Sequence, residues 1–199
     1  MIPNASFIRQ STFLVVMFSV IAATAPPAFA QKVLGIFGSD SVKYKTFKDA
    51  AGRFELEYPT KDWSSLTTGG SAIAILSRKD QAATVVIDLA RLTEALAPAE
   101  VETNAKIEVE TVKEQQPTAK DFSTQIVDTK AGGRAALIKY VRVGTNGPER
   151  VMRYVVGVGL DMYRVIAVAP QASAAKQEPV LQYMLMSFKA PASAAGSKN

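Results

Sequence analysis

Regular alternation of apolar and polar side chains begins at Phe54. In Phe54-Glu55-Leu56-Glu57-Tyr58 the apolar positions recur every second residue, so they share one strand face and both glutamates take the other. Pro59 ends this strand because it brings no amide hydrogen to a ladder, and Trp63 falls in the turn region beyond it, at the core edge. Ile73–Ser77 and Thr84–Leu89 are β-branched runs joined by the polar stretch Arg78–Ala83, which predicts a hairpin with a longer loop. The period then changes. Pro98 suits a first helical turn, Val101, Ala105, Val109 and Val112 form a stripe, Glu102 and Lys106 make an i, i+4 pair, and Pro117 closes the segment after Gln116. Strands return at Phe122–Val127, Arg134–Val143, Arg150–Val158 and Met162–Ala169, the last three separated by glycine-containing turns and therefore antiparallel neighbours. Val180, Leu181, Met184, Leu185 and Phe188 predict a closing helix over Pro179–Phe188. Strands in runs, with helices before and after the second run, indicate an α+β fold: an α-β-α sandwich whose helices pack on a largely antiparallel sheet.

The ends of the chain read differently. Arg9 is the only charged side chain before Lys32, and the apolar run Phe13–Ala25 counts 13 residues before Pro26-Pro27 and Ala28-Phe29-Ala30. A positive start, a short apolar run and an A-x-A site describe a secretory signal peptide, with cleavage between Ala30 and Gln31. The run is shorter than the roughly 20 residues a spanning helix needs, so no transmembrane segment is expected after cleavage. The chain thus divides into a signal peptide (1–30), an extended arm (31–52), a folded domain (53–189) and a disordered tail (190–199) poor in apolar bulk.

Composition restricts the chemistry. There is no cysteine and no histidine, which excludes disulfides, zinc-finger spacing, Cys-His or Ser-His nucleophilic pairs and an imidazole proton shuttle. Asp40 and Asp49 lack the alternating oxygen ligands of a calcium loop, and Gly35-Ile36-Phe37-Gly38 and Gly157-Val158-Gly159 lack the Lys-Ser/Thr or helix start of a phosphate loop. No metal or cofactor is implied. Glu55 and Glu57, roughly 7 Å apart on one strand face, have a glycosidase-like separation, against the plainer reading of an exposed polar face. Tyr58, Trp63 and Tyr140 are candidates to line a pocket for an apolar or lipid ligand, core packing being the alternative. The formal net charge is +5, unevenly spread. Lys130–Arg164 holds seven basic residues against Glu149 and Asp161, while Glu100–Glu114 holds five glutamates against Lys106 and Lys113. Such asymmetry suits docking on an acidic partner or an anionic membrane surface, and Arg134, Arg142 and Arg150 are the candidate docking residues. Nucleic acid is not an expected partner, since no stacking aromatics interleave the basic residues in a recognised motif.

Val33-Leu34-Gly35-Ile36-Phe37-Gly38, then Gly52-Arg53-Phe54-Glu55-Leu56-Glu57-Tyr58-Pro59 with Trp63 soon after, resembles the start of PsbP-like proteins. Gly132-Gly133-Arg134, the strand trio and Ser187-Phe188 resemble that family's close, so the likeness spans residues 33–189. The resemblance implies an extrinsic, non-enzymatic protein of the α-β-α sandwich type, on the lumenal face of photosystem II in the photosynthetic members. Without histidines to supply metal ligands, the photosystem role is not carried over, and the chain is expected to be exported to a bacterial periplasm, or to a thylakoid lumen if the source is photosynthetic. The function expected is an exported accessory protein that docks on or stabilises a membrane-associated or envelope protein complex, with a carrier of a small apolar ligand as the alternative.

Overall fold

A computed structural model describes residues 42–68 and 72–191. The signal peptide with its Ala30/Gln31 cleavage site, the arm up to residue 41 and the tail beyond residue 191 lie outside the described residues. Nine strands and two α-helices follow in the order β1 (Tyr44–Lys48), β2 (Glu55–Pro59), β3 (Trp63–Thr67), β4 (Ala72–Arg78), β5 (Thr84–Arg91), α1 (Val101–Gln115), β6 (Lys120–Asp128), β7 (Arg134–Gly144), β8 (Gly147–Val158), β9 (Asp161–Pro170) and α2 (Ala174–Ser187). Short 3-10 turns, Pro98–Glu100 and Gln171–Ser173, lead into the two helices.

Seven strands form one antiparallel sheet in the order β3-β4-β5-β9-β8-β7-β6, while β1 and β2 pair separately. Period-two alternation sorts β7 and β8 between the two sheet faces. Leu137, Met152, Tyr154 and Val156 join Leu181, Met184 and Leu185 of α2, Leu56 of β2 and the preceding Phe54 in one apolar cluster. Ala136, Ile138, Tyr140, Val151 and Val155 join Val101, Ala105 and Val112 of α1 in a second cluster. Two apolar layers divided by one sheet are the α-β-α sandwich that the pattern predicts.

Four details depart from the sequence reading. Residues 44–48 form β1 and pair with β2, so the end of the supposed arm belongs to a hairpin. Its loop is fixed by Asp49, whose carboxylate accepts the Ala51 and Arg53 amides and the Arg53 Nε (2.7 Å). Trp63 opens the edge strand β3 rather than a turn, with its indole buried in the α2-side cluster. The closing helix starts five residues before Pro179, at Ala174, and carries that proline inside it. Lastly, the buried face of α1 includes Glu108 in place of Val109, which is only partly buried.

Candidate docking surface

Glu108 shows where much of the charge asymmetry goes. It lies one turn from Ala105 and from Val112 and therefore points into the sheet. Arg153 of β8 and Arg164 of β9 sit on the same sheet face beneath it. Arg153 Nη1 donates to one carboxylate oxygen (2.7 Å), and Arg164 donates Nε (2.8 Å) and Nη2 (2.6 Å) to the other. Burial pushes the Glu108 carboxyl up, but the Arg164 and Arg153 guanidiniums outweigh it and hold the group below the usual carboxylate range. The acidic helix and the basic strands thus complement each other inside the molecule. Lys139 is engaged in the same way on the other face, by Glu178 (2.7 Å) and Gln182 (3.0 Å) of α2.

Of the remaining four basic residues, Arg142 and Arg150 lie at the β7–β8 turn and Lys130 and Arg134 at the opposite end of β7. Arg142 and Glu149 face each other across the two strands, and Arg142 donates Nε to the carboxylate at 2.9 Å. Glu149 can lie there because residue 144 is glycine: a Cβ at that position would clash with the carboxylate. Among the described residues the two Nη groups of this arginine have no protein acceptor. A recess of about 450 Å³ opens beside Arg142, Glu149 and Gln116 at the end of α1. A second, of about 250 Å³, lies against Val141, Pro148 and Lys120, and the two meet over Thr118, Arg142 and Val143.

Arg150 is paired in register with Val141, next to the Arg142–Glu149 pair, and points to the opposite sheet face, two residues beyond Pro148. It is partly buried, its Nε is enclosed without an acceptor, and among the described residues it forms no ion pair. Arg134, at the start of β7 opposite Asp128, is exposed and eight residues from Arg142, roughly 27 Å along an extended strand. Of the three candidates, the structure brings Arg142 and Arg150 to one end, on either face of the same hairpin, and leaves Arg134 at the other.

The pocket candidates do not converge. Tyr58 and Trp63 are buried in the α2-side cluster and Tyr140 in the α1-side cluster, stacked on Phe122 at 5.1 Å, with the sheet between them. Neither recess is lined by any of the three. Glu55 pairs with Lys48 (3.0 Å), and Glu57 accepts the hydroxyl of Tyr183, whose ring packs on Tyr44. Among the described residues no group of three or more acidic side chains is placed to hold a metal, and no helix is long and apolar enough to cross a membrane. Glu108 and Glu149 escaped the sequence reading, although Glu108 falls at i+3 from Ala105 on the α1 stripe, the signal that marks an inward side chain.

No family model and no curated protein matches the chain. Among solved structures, cyanobacterial PsbP (CyanoP) from Synechocystis sp. PCC 6803 is similar over 79% of this chain and 98% of its own, with TM-score 0.59 and 11% identity. The chain has a PsbP-like fold. LpqN, involved in cell envelope biogenesis of Mycobacterium tuberculosis, is similar over 82% of this chain and 97% of its own (TM-score 0.56, 15% identity). A protein from Bacteroides thetaiotaomicron matches 74% of this chain but 48% of its own (TM-score 0.53, 15% identity). The PsbP-like sandwich is what these proteins share, and at such identities the likeness concerns the fold.

Proposed function

We propose that this chain is an exported, non-enzymatic accessory protein that docks on an acidic face of an envelope protein complex. The observation that carries the reading is the pair of arginines at the β7–β8 end: among the described residues the Nη groups of Arg142 have no protein acceptor, and Arg150 has none at all. A partly buried guanidinium lacking a partner costs about 1–3 kcal/mol, which an incoming carboxylate recovers. The CyanoP and LpqN likenesses and the leader-like start favour an extracytoplasmic place. The lack of histidine and cysteine, with Glu55, Glu57 and Glu108 each held by a neighbour, favours recognition over turnover.

The test is co-purification of the tagged full chain with envelope membranes of its source at low and high salt. Arg142→Glu with Arg150→Glu is expected to lower recovery of its partner at least about tenfold, and Arg134→Glu to leave it unchanged. Retention of the same partner by the double variant, or its loss with Arg134→Glu alone, overturns the assignment. A broad hydrolase screen with Glu55→Gln and Glu57→Gln checks the non-enzymatic part; turnover lost with either change overturns it.

A further inference from the structure

In one half of the sheet face carrying α1, one aliphatic row is left uncovered among the described residues, bordered on the same face by the hydroxyl row Ser64, Ser77 and Thr84. Leu66 of β3 is opposite Ile75 of β4, Ile75 opposite Val86 of β5, and Val86 opposite Ile166 of β9, an aliphatic row across four strands. The row continues through Arg153 into Ile138, under α1. Leu66, Ile75 and Val86 belong to neither apolar cluster; Leu66 is 63% exposed, and Ile75 and Val86 are partly so. The helix stands over the other half, packed on β6 and β7. Its Lys113 reaches Phe122 of β6 on one flank, and its Asn104 reaches Met162 of β9 on the other. Ile107 lies on the Asn104 flank and is 60% exposed. This half of the face therefore has an aliphatic row as its floor, with the exposed Ile107 on the flank of α1 that borders it.

We infer that this half-face receives an amphipathic helix of a partner protein, laid beside α1 with a basic residue bordering its apolar stripe. Helices pack about 10 Å apart, so a seven-stranded sheet faced by one helix leaves a helix-wide strip of its surface. An aliphatic row left partly exposed across neighbouring strands suits a protein contact, and helix-in-groove docking is a recurring form of it. The basic residue follows from charge. Asp88 borders the row on the same face, opposite Arg164, but Arg164 is committed to Glu108, and among the described residues Asp88 forms no ion pair. The inference shares the accessory reading above but not its arginines, which lie at the β7–β8 end, so the two can fail separately.

The test uses the folded protein and two acetylated, amidated helical peptides of about 18 residues, one of leucine, alanine and lysine and one with glutamate in place of lysine. Backbone-amide NMR titration is expected to localise the lysine peptide's shifts at Leu66, Ile75, Val86 and Ile107. The glutamate peptide is expected to bind at least about fivefold more weakly, as is the lysine peptide to Asp88→Asn. Leu66→Glu and Ile107→Glu, at exposed positions where folding tolerates the change, should each abolish the pattern. Shifts elsewhere, equal binding of both peptides, or the same shifts with decanoate alone overturn the inference. So does a dimer of the unmodified protein, by sedimentation velocity, that Leu66→Glu dissociates, since a second copy would then hold the face.

Discussion

Glu108 is a carboxylate in an apolar stripe, bonded to two guanidiniums that are themselves largely shielded, with the Arg153 side chain 10% and the Glu108 side chain 5% exposed. Removing one partner of such a group leaves charges without compensation, so Glu108→Gln is expected to lower unfolding stability by about 3–5 kcal/mol in urea titration. The exposed pair Glu102–Lys106 on the same helix should give less than about 1 kcal/mol on Glu102→Gln. From sequence the two glutamates look alike; only the sheet beneath α1 tells them apart. Gly144 offers a second contrast. Gly144→Ala pushes aside the far end of a flexible Glu149 side chain, so the melting temperature should hardly move. Arg142 nevertheless loses its Nε anchor, and the same variant should weaken partner capture several-fold. Capture equal to the unmodified protein would show that the Glu149 contact does not position Arg142.

The elements most legible in the sequence are the long apolar runs set off by glycine-containing turns. The strands over Arg134–Val143, Arg150–Val158 and Met162–Ala169 are found within β7, β8 and β9, which are covered on both faces, so that Ala135–Ile138 and Val151–Val156 are buried without a break. β1 was hidden because Tyr44-Lys45-Thr46-Phe47-Lys48 keeps only Tyr44 and Phe47 partly covered. It is a surface hairpin strand, so burial imposes little pattern on it. β3 was hidden for a related reason: an edge strand with Trp63 alone buried has no alternation to read. The arginine cluster was visible as composition, but the docking end was not, since the sharing of Arg153 and Arg164 with Glu108 is a tertiary fact. In α2 the signal misled, because a proline that commonly opens a helix sits inside this one, partly exposed. Pro179 removes the amide that would bond to the Ala175 carbonyl. Pro179→Ala is therefore expected to stabilise the protein by about 1 kcal/mol, less than the full interior-proline cost because the unfolded chain also gains freedom. A lower urea midpoint would instead mean that the ring's packing outweighs the restored bond.

At the scale of the whole molecule, the titrating groups set where the fold is stable. With no histidine or cysteine, no side chain has an ordinary value between about pH 5 and 8, so stability should be flat across that window. On the acid side the Asp49 carboxyl is held below its usual range by the Arg53 side-chain hydrogen bond, and Glu108 is held low by its two arginines despite its burial. Both values are depressed in the folded state, so their contribution is complete above the unfolded carboxylate values and is lost as pH falls below about 4. On the alkaline side the signs reverse. Burial raises the Tyr154 hydroxyl to about 12, and the hydrogen bond to Glu57, followed by burial, raises Tyr183 to about 12. The stability these phenols add is complete below about pH 10 and disappears as pH rises through their folded values. A melting-temperature profile should thus be a plateau with an acid and an alkaline limb, each assignable to its own groups. Tyr183→Phe should soften the alkaline limb, and Glu108→Gln should lower the plateau while shortening the acid limb, because the variant has less carboxylate stabilisation left to lose. An acid limb of undiminished depth in Glu108→Gln would assign acid unfolding to Asp49 and the remaining carboxylates, and would make the triad a source of packing specificity more than of pH-dependent stability.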